Sequence, residues 1–379
     1  MLELCTGSRL HFGLLELAFG QPHRFGGLGL MISSPQVRVR ITQRPDNSRT
    51  DCEVDLRIKS ALEQAERMLG RSFPREWSIE VPQHPLLHSG LGCGTQLAAA
   101  TTAAIELAMN GRSHTTTSQG VSPTSSDSST WQAVVPGFSG GDTRQIRRLA
   151  ILSGRGKRSA IGLHGFLYGG LVQDLGYDAP AIPIRRATAP ALPALPALPA
   201  PDAIDEPRPI ATRSISFPES WPIVLILGTH GSDVQGVAEE SLIQAAAAAA
   251  NSRLPTMLAL SQTCLSAVAE RNFGGFVEAI EAYMQIAASL FATVQAGRYR
   301  DAEIARRVNL AERAGLRGVG QSSWGPTVFA FASERAQAEH AAELLRSQLS
   351  QQSVEVIVTS AVNHGAQWRS TLSGDQHAG

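Results

Sequence analysis

Three glycines alternate with other residues in SGLGCGTQ, the glycine loop of residues 89–96, which precedes an alanine-rich apolar run. Glycines let the backbone approach a ligand closely and point successive N–H groups at it. The following helix would add the positive end of its dipole, and the Thr95 hydroxyl could reach a phosphate or its magnesium ion. A tight strand-to-helix turn without a ligand has the same composition. The residues predicted to bind phosphate or pyrophosphate are Ser89, Gly90, Leu91, Gly92, Cys93, Gly94, Thr95 and Gln96.

The spacing of this loop excludes two common nucleotide motifs. No Gly-Lys-Ser/Thr follows at the distance that a Walker loop requires, and the third glycine comes one residue too early for GxGxxG. The glycine loop therefore indicates an anion without identifying it.

A second glycine-bounded turn lies in GQSSWGPTVFAF, which begins at Gly320. Ser322 and Ser323 are candidate catalytic residues that would donate hydrogen bonds, and Gln321 and Trp324 are candidate substrate contacts. The alternative is structural, because serines also cap turns and a tryptophan is often part of a core.

The N-terminal motif SRLHFGLLEL…RFGGLGLMI combines cationic or titratable side chains with glycines. A planar guanidinium suits carboxylate and phosphate groups, although an arginine on a strand often only faces solvent. The candidate substrate-binding residues of this motif are Arg9, His11, Arg24, Gly26 and Gly27.

Several elements of the first half must position these groups. Residues 1–45 are β-rich, residues 54–70 have helical spacing and end at a glycine, and WSIEVPQ predicts a short strand. A helix is predicted from about Gly94 to Met109, directly after the glycine loop. The segment RSAIGLHGFLYGGLVQDLG, from Arg158, is predicted to form a turn followed by a strand.

The second half has a different order of elements. WPIVLILGTH predicts a strand, and SVEVIVT predicts a last strand that finishes the fold. Between them lie the turn of GQSSWGPT and a strand. This order is typical of an antiparallel α+β sandwich. The predicted helices of this half cover 234–249, 254–271, 273–296, 301–315 and 334–348.

Composition limits the function classes. The chain has 379 residues, enough for two domains, and 33 basic residues balance 33 acidic ones. Such a balance gives no global field that attracts nucleic acid or an anionic membrane. The four cysteines form no CxxC pair, so we expect neither a zinc site nor a disulfide framework, and a cytoplasmic location. No apolar run reaches the roughly 20 residues that span a bilayer.

Two low-complexity segments divide the chain. A Ser/Thr-rich insertion within 111–142, most polar at 113–130, cannot bury enough apolar area to offset its chain entropy, and we predict that it is disordered. The Pro/Ala-rich segment 178–212 contains ALPALPALPAP, which favours extended polyproline II. We therefore predict an N-terminal domain of residues 1–177 and a C-terminal domain of residues 213–379.

Taken in order, these motifs resemble the GHMP superfamily of small-molecule kinases, whose phosphate loop has the pattern P-x-x-x-G-L-G-S-S-A. Here the corresponding segment runs from Pro85 to Thr95. The chain is more similar still to the β-ribofuranosylaminobenzene 5′-phosphate synthase branch, through SRLHFGLL, FGGLGL, HxGLGxGTQLA, RSxIGxxxF…GG and GxGQSSWGPT. These motifs begin at Ser8, Phe25, His88, Arg158 and Gly318.

The resemblance implies a two-domain fold, with an N-terminal domain of the ribosomal-protein S5 type and a C-terminal ferredoxin-like α/β sandwich. It also implies decarboxylating ribosyl transfer from phosphoribosyl pyrophosphate to 4-aminobenzoate or 4-hydroxybenzoate, in tetrahydromethanopterin biosynthesis. Arg9, Arg24 and Arg158 would then bind anionic groups, and Arg158 is also a candidate catalytic residue. Mg²⁺ is expected with phosphoribosyl pyrophosphate, no organic cofactor is expected, and related folds are often homodimers.

Three departures from known patterns bear on this reading. KRSAIGLHG, from Lys157, has no acidic residue where several GHMP kinases have an aspartate base. The paired acids of ordinary phosphoribosyltransferases are absent, and Cys93 replaces a kinase serine, either as a buried filler or as a redox-sensitive thiol. No spacing identifies metal ligands, although Glu16 and Asp174 are available. A GHMP-type kinase for a small alcohol and a non-catalytic nucleotide- or anion-binding protein remain alternatives.

Overall fold

The structure is a computed structural model. It describes residues 1–17, 23–42, 52–111, 131–134, 143–156, 159–178, 208–209, 212–230, 236–249, 253–291 and 297–370. Most of the Ser/Thr-rich insertion and of the Pro/Ala-rich segment lies outside these residues, and so does Arg158. The predictions made for those parts therefore stay predictions.

The first sheet is antiparallel and, within the described ranges, has seven strands in the order β4-β13-β1-β2-β5-β8, with β3 paired to β2. The prediction that SVEVIVT is the last strand is wrong, because a later strand returns to pair with β1. The strands are β1 (Leu2–Leu14), β2 (Gly27–Thr42), β3 (Ser78–Gln83), β4 (Gln132–Ala133), β5 (Leu171–Asp174), β8 (Thr212–Ile215) and β13 (Gln367–Ser370).

Among the described residues, four helices pack with this sheet through one apolar cluster. The helix after the glycine loop is rich in alanine, the residue with the highest helix propensity. Its residues 97–105 are buried between the sheet and its neighbours. The helices are α1 (Cys52–Leu69), α2 (Cys93–Gly111), α3 (Thr143–Ser153) and α4 (Ile161–Tyr168).

Helix α4 corrects the predicted turn at RSAIGLHGF. Glycines favour turns in a sequence reading, but here they allow close helix packing. A Cβ atom at Gly162 would lie 3.0 Å from Thr95 Cγ2, and one at Gly165 would lie 2.5 Å from Met31 Sδ. The burial of residues 161–166 stabilises the helix despite its two glycines.

The second sheet has four antiparallel strands among the described residues, in the order β10-β11-β9-β12. Both of its faces are covered, which explains the continuous apolar run IVLILG. Ile223 and Leu225 face one core, and Val224 and Ile226 face another. The strands are β9 (Ile223–Gly228), β10 (Arg317–Gln321), β11 (Val328–Phe331) and β12 (Val354–Thr359).

Five further helices and a separate pair of short strands complete the elements of the described residues. In the described part of the chain, no helix combines the length and apolar character that crossing a membrane requires. The helices are α5 (Gly236–Ala249), α6 (Leu254–Ala269), α7 (Phe273–Ser289), α8 (Ala302–Arg313) and α9 (Arg335–Gln348), and the short strands are β6 (Tyr177–Asp178) and β7 (Arg208–Pro209).

The two sheets share one apolar core. Residues of β1, β2, β9, β11, α6 and α7 belong to the same buried cluster, in which the Phe12 and Phe329 rings lie 5.2 Å apart. The predicted boundary before residue 213 falls inside β8, which pairs with the first sheet, as does β13. Two strands of the first sheet, β8 and β13, therefore contain residues that follow the predicted boundary. The shared core packs β1 against the second sheet.

Candidate anion-binding site

The glycine loop is fixed to β1 and leads directly into α2. The Arg9 N–H donates to Leu91 O at 2.9 Å. The N–H groups of Thr95 and Gln96 both donate to Gly92 O, at 3.0 and 3.1 Å, and close the first turn of the helix. The loop therefore lies at the N-terminus of a helix of 19 residues, where the dipole favours an anion.

One side of the glycine loop packs against the turn of residues 322–327, which connects β10 to β11. A Cβ atom at Gly90 would lie 2.2 Å from Ser322 O, and one at Gly325 would lie 2.0 Å from Ser89 O. Gly90 also has a φ of 91°, which favours glycine. These two glycines therefore let two backbone segments meet directly.

The Ser322 side chain joins three segments at this contact. Its buried hydroxyl donates to Gly90 O at 2.8 Å and accepts from the His11 N–H at 3.1 Å. Since this hydroxyl proton is already in use, Ser322 positions the glycine loop. Ser323 is exposed and has a φ of 54°, an uncommon conformation that concentrates at functional sites. Its predicted role as a hydrogen-bond donor stays a prediction.

Two further hydroxyls are buried at the same contact. The Thr327 N–H donates to Ser89 O at 3.3 Å. The side-chain oxygens of both residues are buried without a hydrogen-bond partner in the described part of the chain. Because buried polar groups are nearly always paired, these two hydroxyls are unused donors beside the predicted anion site.

The other side of the glycine loop faces arginine side chains. A Cβ atom at Gly92 would lie 2.9 Å from Arg9 Nε. The Arg9 guanidinium therefore covers the loop backbone at this point. The sequence singled out Arg9 as an anion contact, and the structure places it directly on the loop.

Two more arginines, which the sequence reading did not single out, converge on Gly94. A Cβ atom there would lie 2.8 Å from Arg57 Nη1 and 3.8 Å from Arg155 Nη2. Arg57 comes from α1 and Arg155 from the segment after α3, so only the tertiary fold brings them to the first turn of α2. For Arg57, the sequence indicated only that the residue lies on a helix, through the helical spacing of residues 54–70.

The Arg57 side chain contacts two neighbours. Its Nη2 donates to Glu53 Oε1 at 2.8 Å and lies 3.0 Å from His88 Nε2. The same imidazole nitrogen lies 2.9 Å from Glu53 Oε1. Hydrogen bonds from His88 and Arg57 lower the pKa of Glu53. His88, at the entry of the loop, has a φ of 60°, which is uncommon for a residue other than glycine. Its Nε2 can either accept from Arg57 or donate to Glu53, so Glu53 is the neighbour that fixes the cation.

The electrostatics of the site favour an anion. The pKa of Arg155 is lowered, first by burial and then by the positive charge of Arg57. Placing two guanidinium groups side by side in a half-buried position is unfavourable unless negative charge offsets it. The loop, the helix dipole and the arginines therefore form one positive site.

His11 lies two residues after Arg9 on β1 and is a neutral imidazole. Burial, together with the charge of Arg9, holds its pKa well below the usual value. Its Nδ1 accepts the N–H of Gly13 at 3.2 Å, so the ring proton is on Nε2. His11 is therefore available as a neutral hydrogen-bond donor, without the charge that the sequence reading considered.

Two predicted contacts are engaged in internal hydrogen bonds. Gln96 is fully buried, accepts from the Thr6 hydroxyl at 2.9 Å and donates to Gly162 O at 2.8 Å. Gln321 donates to Gly325 O at 2.9 Å. Both amides support the loop and its neighbouring turn, so their predicted role as ligand contacts has no geometric support.

Three other predicted residues fill tight spaces. Burial raises the pKa of the Cys93 thiol to about 12, so this side chain acts as a buried filler. Cβ atoms at Gly26 and Gly27 would lie 2.7 Å from Asp174 O and 2.6 Å from a backbone oxygen of β1. The two glycines therefore allow close strand packing.

The remaining predicted contacts lie among aromatic rings. Arg24 Nε donates to Leu17 O at 3.2 Å, and its guanidinium lies 4.1 Å from the Phe25 ring centre. Trp324 meets Phe291 edge-on, with ring centres 4.8 Å apart. Because both phenylalanines pack against the same small apolar cluster, Arg24 and Trp324 lie at the rim of that cluster.

The available carboxylates do not form a metal site. Glu16 is buried, and its Oε1 accepts the Leu17 N–H at 2.8 Å. Asp174 accepts the Ala160 and Gly176 N–H groups at 2.6 and 2.9 Å, and burial raises its pKa to about 6. Within the described ranges, no three His, Cys, Asp or Glu side chains come together to hold a metal ion. Glu16 and Asp174 accept backbone N–H groups and belong to no such cluster.

Solved structures share this fold over nearly the whole chain. Phosphomevalonate kinase of Streptococcus pneumoniae is 14% identical with a TM-score of 0.54, covering 96% of this chain and 99% of its own. Mevalonate diphosphate decarboxylase of Staphylococcus aureus is 13% identical with a TM-score of 0.54, covering 98% and 99%. Residues 264–351 match the family model described as GHMP kinases C terminal. The predicted fold class is confirmed: the chain has the two-domain GHMP-type fold, and at these identities the likeness concerns fold alone.

One relative is similar in sequence as well. β-Ribofuranosylphenol 5′-phosphate synthase of Methanothermobacter thermautotrophicus is 25% identical over 346 residues, which cover 88% of this chain and 89% of the relative. This similarity extends well beyond the C-terminal match. The family model covers residues 264–351 alone, whereas the similarity to this relative includes both halves of the chain.

Proposed function

We propose that this protein catalyses decarboxylating ribosyl transfer. Phosphoribosyl pyrophosphate and a para-substituted benzoate would give a C-riboside 5′-phosphate, CO2 and pyrophosphate. The observation that carries the proposal is the placement of Arg9, Arg57 and Arg155 on the glycine loop at the N-terminus of α2. Such fixed cations suit a pyrophosphate that departs in one piece.

The choice of benzoate is supported by the relative. Its name describes a ribofuranosyl phenol phosphate, and loss of CO2 from 4-hydroxybenzoate leaves a phenol ring. We therefore propose 4-hydroxybenzoate as the first acceptor to test, with 4-aminobenzoate beside it.

In the proposed reaction, the bond between ribose C1 and the pyrophosphate oxygen breaks, and the oxygen keeps the electron pair. The ring carbon that bears the carboxylate attacks C1 and forms a carbon–carbon bond. The bond from that carbon to the carboxylate then breaks, CO2 leaves, and the electron pair restores the aromatic ring. The loop amides, the helix end and the arginines would stabilise the negative charge that develops on the pyrophosphate.

The benzoate is proposed to bind near Arg24 and Trp324. A guanidinium beside partly exposed aromatic rings suits an aromatic carboxylate, because the cation pairs with the carboxylate and the rings contact the benzene face. The Nε2–H of His11 supplies a further neutral donor. Any Mg²⁺ that accompanies the reaction would be bound by the substrate phosphates, and none of these steps passes through it.

The direct test follows both products of the transfer. The protein is incubated with phosphoribosyl pyrophosphate, Mg²⁺ and carboxyl-labelled 4-hydroxybenzoate or 4-aminobenzoate. We expect labelled CO2 and pyrophosphate to be released one for one with one of the two benzoates.

Other outcomes would overturn the proposal. Absence of CO2 with both benzoates, together with ADP release from ATP and a small alcohol, would indicate a kinase. Tight phosphate binding without turnover would indicate a non-catalytic binding protein. Arg67→Gln is a matched control, because this exposed arginine lies on α1 with Arg57 but away from the loop.

A further inference from the structure

We infer that Arg57 and Arg155 form a diphosphate subsite at the N-terminus of α2 that holds inorganic pyrophosphate without a metal ion. This inference rests on the proposed function, because it assigns one group of the proposed substrate to one end of the glycine loop. It also concerns a ligand, free pyrophosphate, whose binding can be measured without the reaction.

The space beside Gly94 is the first argument. A side chain at residue 94 would begin 2.8 Å from Arg57 Nη1, so the guanidinium takes the place that such a side chain would fill. Residue 94 lies in the first turn of α2, where backbone N–H groups point toward an anion. The glycine therefore brings a cation to the anion-binding end of the helix.

The fixation of Arg57 is the second argument. Glu53, one helical turn earlier on α1, and His88 in the segment before the loop both contact its Nη2. The Arg57 side chain is only 19% exposed. A guanidinium held in this way loses little further conformational freedom when it binds an anion.

The surplus of positive charge is the third argument. Arg57 has an ion pair with Glu53. The Arg155 side chain has neither an ion pair nor a hydrogen bond with any described residue, although it is half-buried beside Arg57. These groups supply donors and charge that a diphosphate would satisfy.

The choice between arginines and a metal follows from the side chains present. Mg²⁺ in phosphate sites is usually held by one or two carboxylates of the protein. The Glu53 carboxylate lies beside His88 at the entry of the loop, and its Oε1 already accepts from Arg57. Two guanidinium groups offer planar, paired N–H donors that match phosphate oxygens without a metal. Free pyrophosphate should therefore compete with phosphoribosyl pyrophosphate for the site.

The test is titration calorimetry of the full chain with inorganic pyrophosphate in the presence of EDTA. We expect binding by the unaltered protein and at least about tenfold weaker binding by Arg57→Gln and by Arg155→Gln. Arg57→Lys keeps the positive charge but lacks the paired N–H donors of the planar guanidinium, so it should bind pyrophosphate with intermediate affinity. The control Arg67→Gln should bind like the unaltered protein. Thermal unfolding of each variant checks that the fold is kept.

Two results would overturn the inference. One is binding of pyrophosphate that requires Mg²⁺, and the other is unchanged affinity in folded Arg57→Gln and Arg155→Gln. The proposed reaction fails separately: if no CO2 is released but metal-free, arginine-dependent pyrophosphate binding is found, the subsite stands and the reaction assignment is wrong.

Discussion

The two sides of the glycine loop use the same residue type for different purposes. On one side, Gly90 packs against the backbone of the turn at 322–327, and Gly325 of that turn packs against the backbone of the loop. A Cβ atom at either glycine would lie 2.0–2.2 Å from a carbonyl oxygen of the other segment. Gly94 meets the ends of two arginine side chains, at 2.8 and 3.8 Å. The first side joins two sheets, and the second side presents cations to the helix end.

This difference predicts how each side responds to substitution. Backbone neighbours fixed by hydrogen bonds cannot move aside, so added atoms on the packing side should cost stability. The end of a flexible side chain can move, so added atoms on the charged side should alter binding while the fold is kept. The following predictions test this contrast.

The largest effect is expected for Gly325→Ala. The new methyl group would lie 2.0 Å from Ser89 O, so the turn and the loop must separate. We expect the free energy of unfolding to fall by at least about 3 kcal/mol in urea titrations. Gly274→Ala is the control, because a Cβ atom there would lie 3.7 Å from Asn272 Oδ1, an ordinary van der Waals distance. Equal stability of the two variants would contradict the packing role.

A second effect concerns Asp174, which accepts a hydrogen bond at the start of α4. This helix contains Gly162, whose carbonyl oxygen accepts from Gln96 of the glycine loop. Asp174 accepts the Ala160 N–H at the start of α4, and burial raises its pKa from 3.8 to about 6. The native state then binds the proton more tightly than the unfolded chain, so this group contributes stability below pH ~4 that is lost as the pH rises through ~6. The contribution is about 3 kcal/mol.

The measurement compares the free energy of unfolding of the unaltered protein and Asp174→Asn across pH 4–7.5. We expect the difference between them to shrink as the pH rises. Asp301→Asn is a control of opposite sign. Hydrogen bonds to Ile304 N–H and Arg300 outweigh burial and lower the pKa of Asp301, so its contribution is lost as the pH falls. If the difference in free energy of unfolding between the unaltered protein and Asp174→Asn did not change with pH, the titration of Asp174 would not be coupled to folding.

A third, smaller effect is expected for Ser322→Ala. The variant leaves Gly90 O and the His11 N–H without their buried partner, which should cost about 1–3 kcal/mol of stability. Ser289→Ala, which removes an exposed bond to Ile286 O, should change stability by less than about 0.5 kcal/mol. Thermal unfolding measures both. If Ser322→Ala is as stable as the control yet inactive, Ser322 acts on the substrate instead.

The smallest effect on stability is expected for Gly94→Ser. The new side chain meets the end of the Arg57 side chain, which can shift only by weakening its ion pair with the half-exposed Glu53. Because such an ion pair contributes little to stability, the free energy of unfolding should change by less than about 1 kcal/mol. Displacing the guanidinium should still weaken pyrophosphate binding about tenfold. Calorimetry and thermal unfolding measure the two quantities, and a loss of stability equal to that of Gly325→Ala would remove the contrast between the sides.

Much of the fold could be predicted from the sequence, since periodicity marks long elements clearly. The helix after the glycine loop, the strand IVLILG and helices α5 to α9 all lie close to their predicted places. Helix α4 was missed because its glycines suggest a turn until its burial is known. Strand β13 was missed because a four-residue strand has no period of its own and depends on pairing with β1.

The site was predictable only in part. Arg9 was singled out because it lies in a motif with glycines, and the structure places it on the loop. Arg57 lies 37 residues before Gly94, and Arg155 lies 61 residues after it. Neither separation corresponds to a known motif, so nothing in the sequence grouped these arginines with the loop. Ser322, Gln96 and Gln321 were chosen for their chemistry, but their hydrogen bonds are used within the protein.

The sequence by itself determined that a glycine-rich loop leads into an alanine-rich helix and that an anion is the natural ligand there, because both properties depend on local backbone chemistry. Only the tertiary structure decided which glycines pack against backbone and which face arginines. That decision depends on where distant elements meet: the turn at 322–327 on one side, and α1 and the end of α3 on the other. Contacts between distant residues carry no periodic signal, so the charge of the site became visible only in the folded chain.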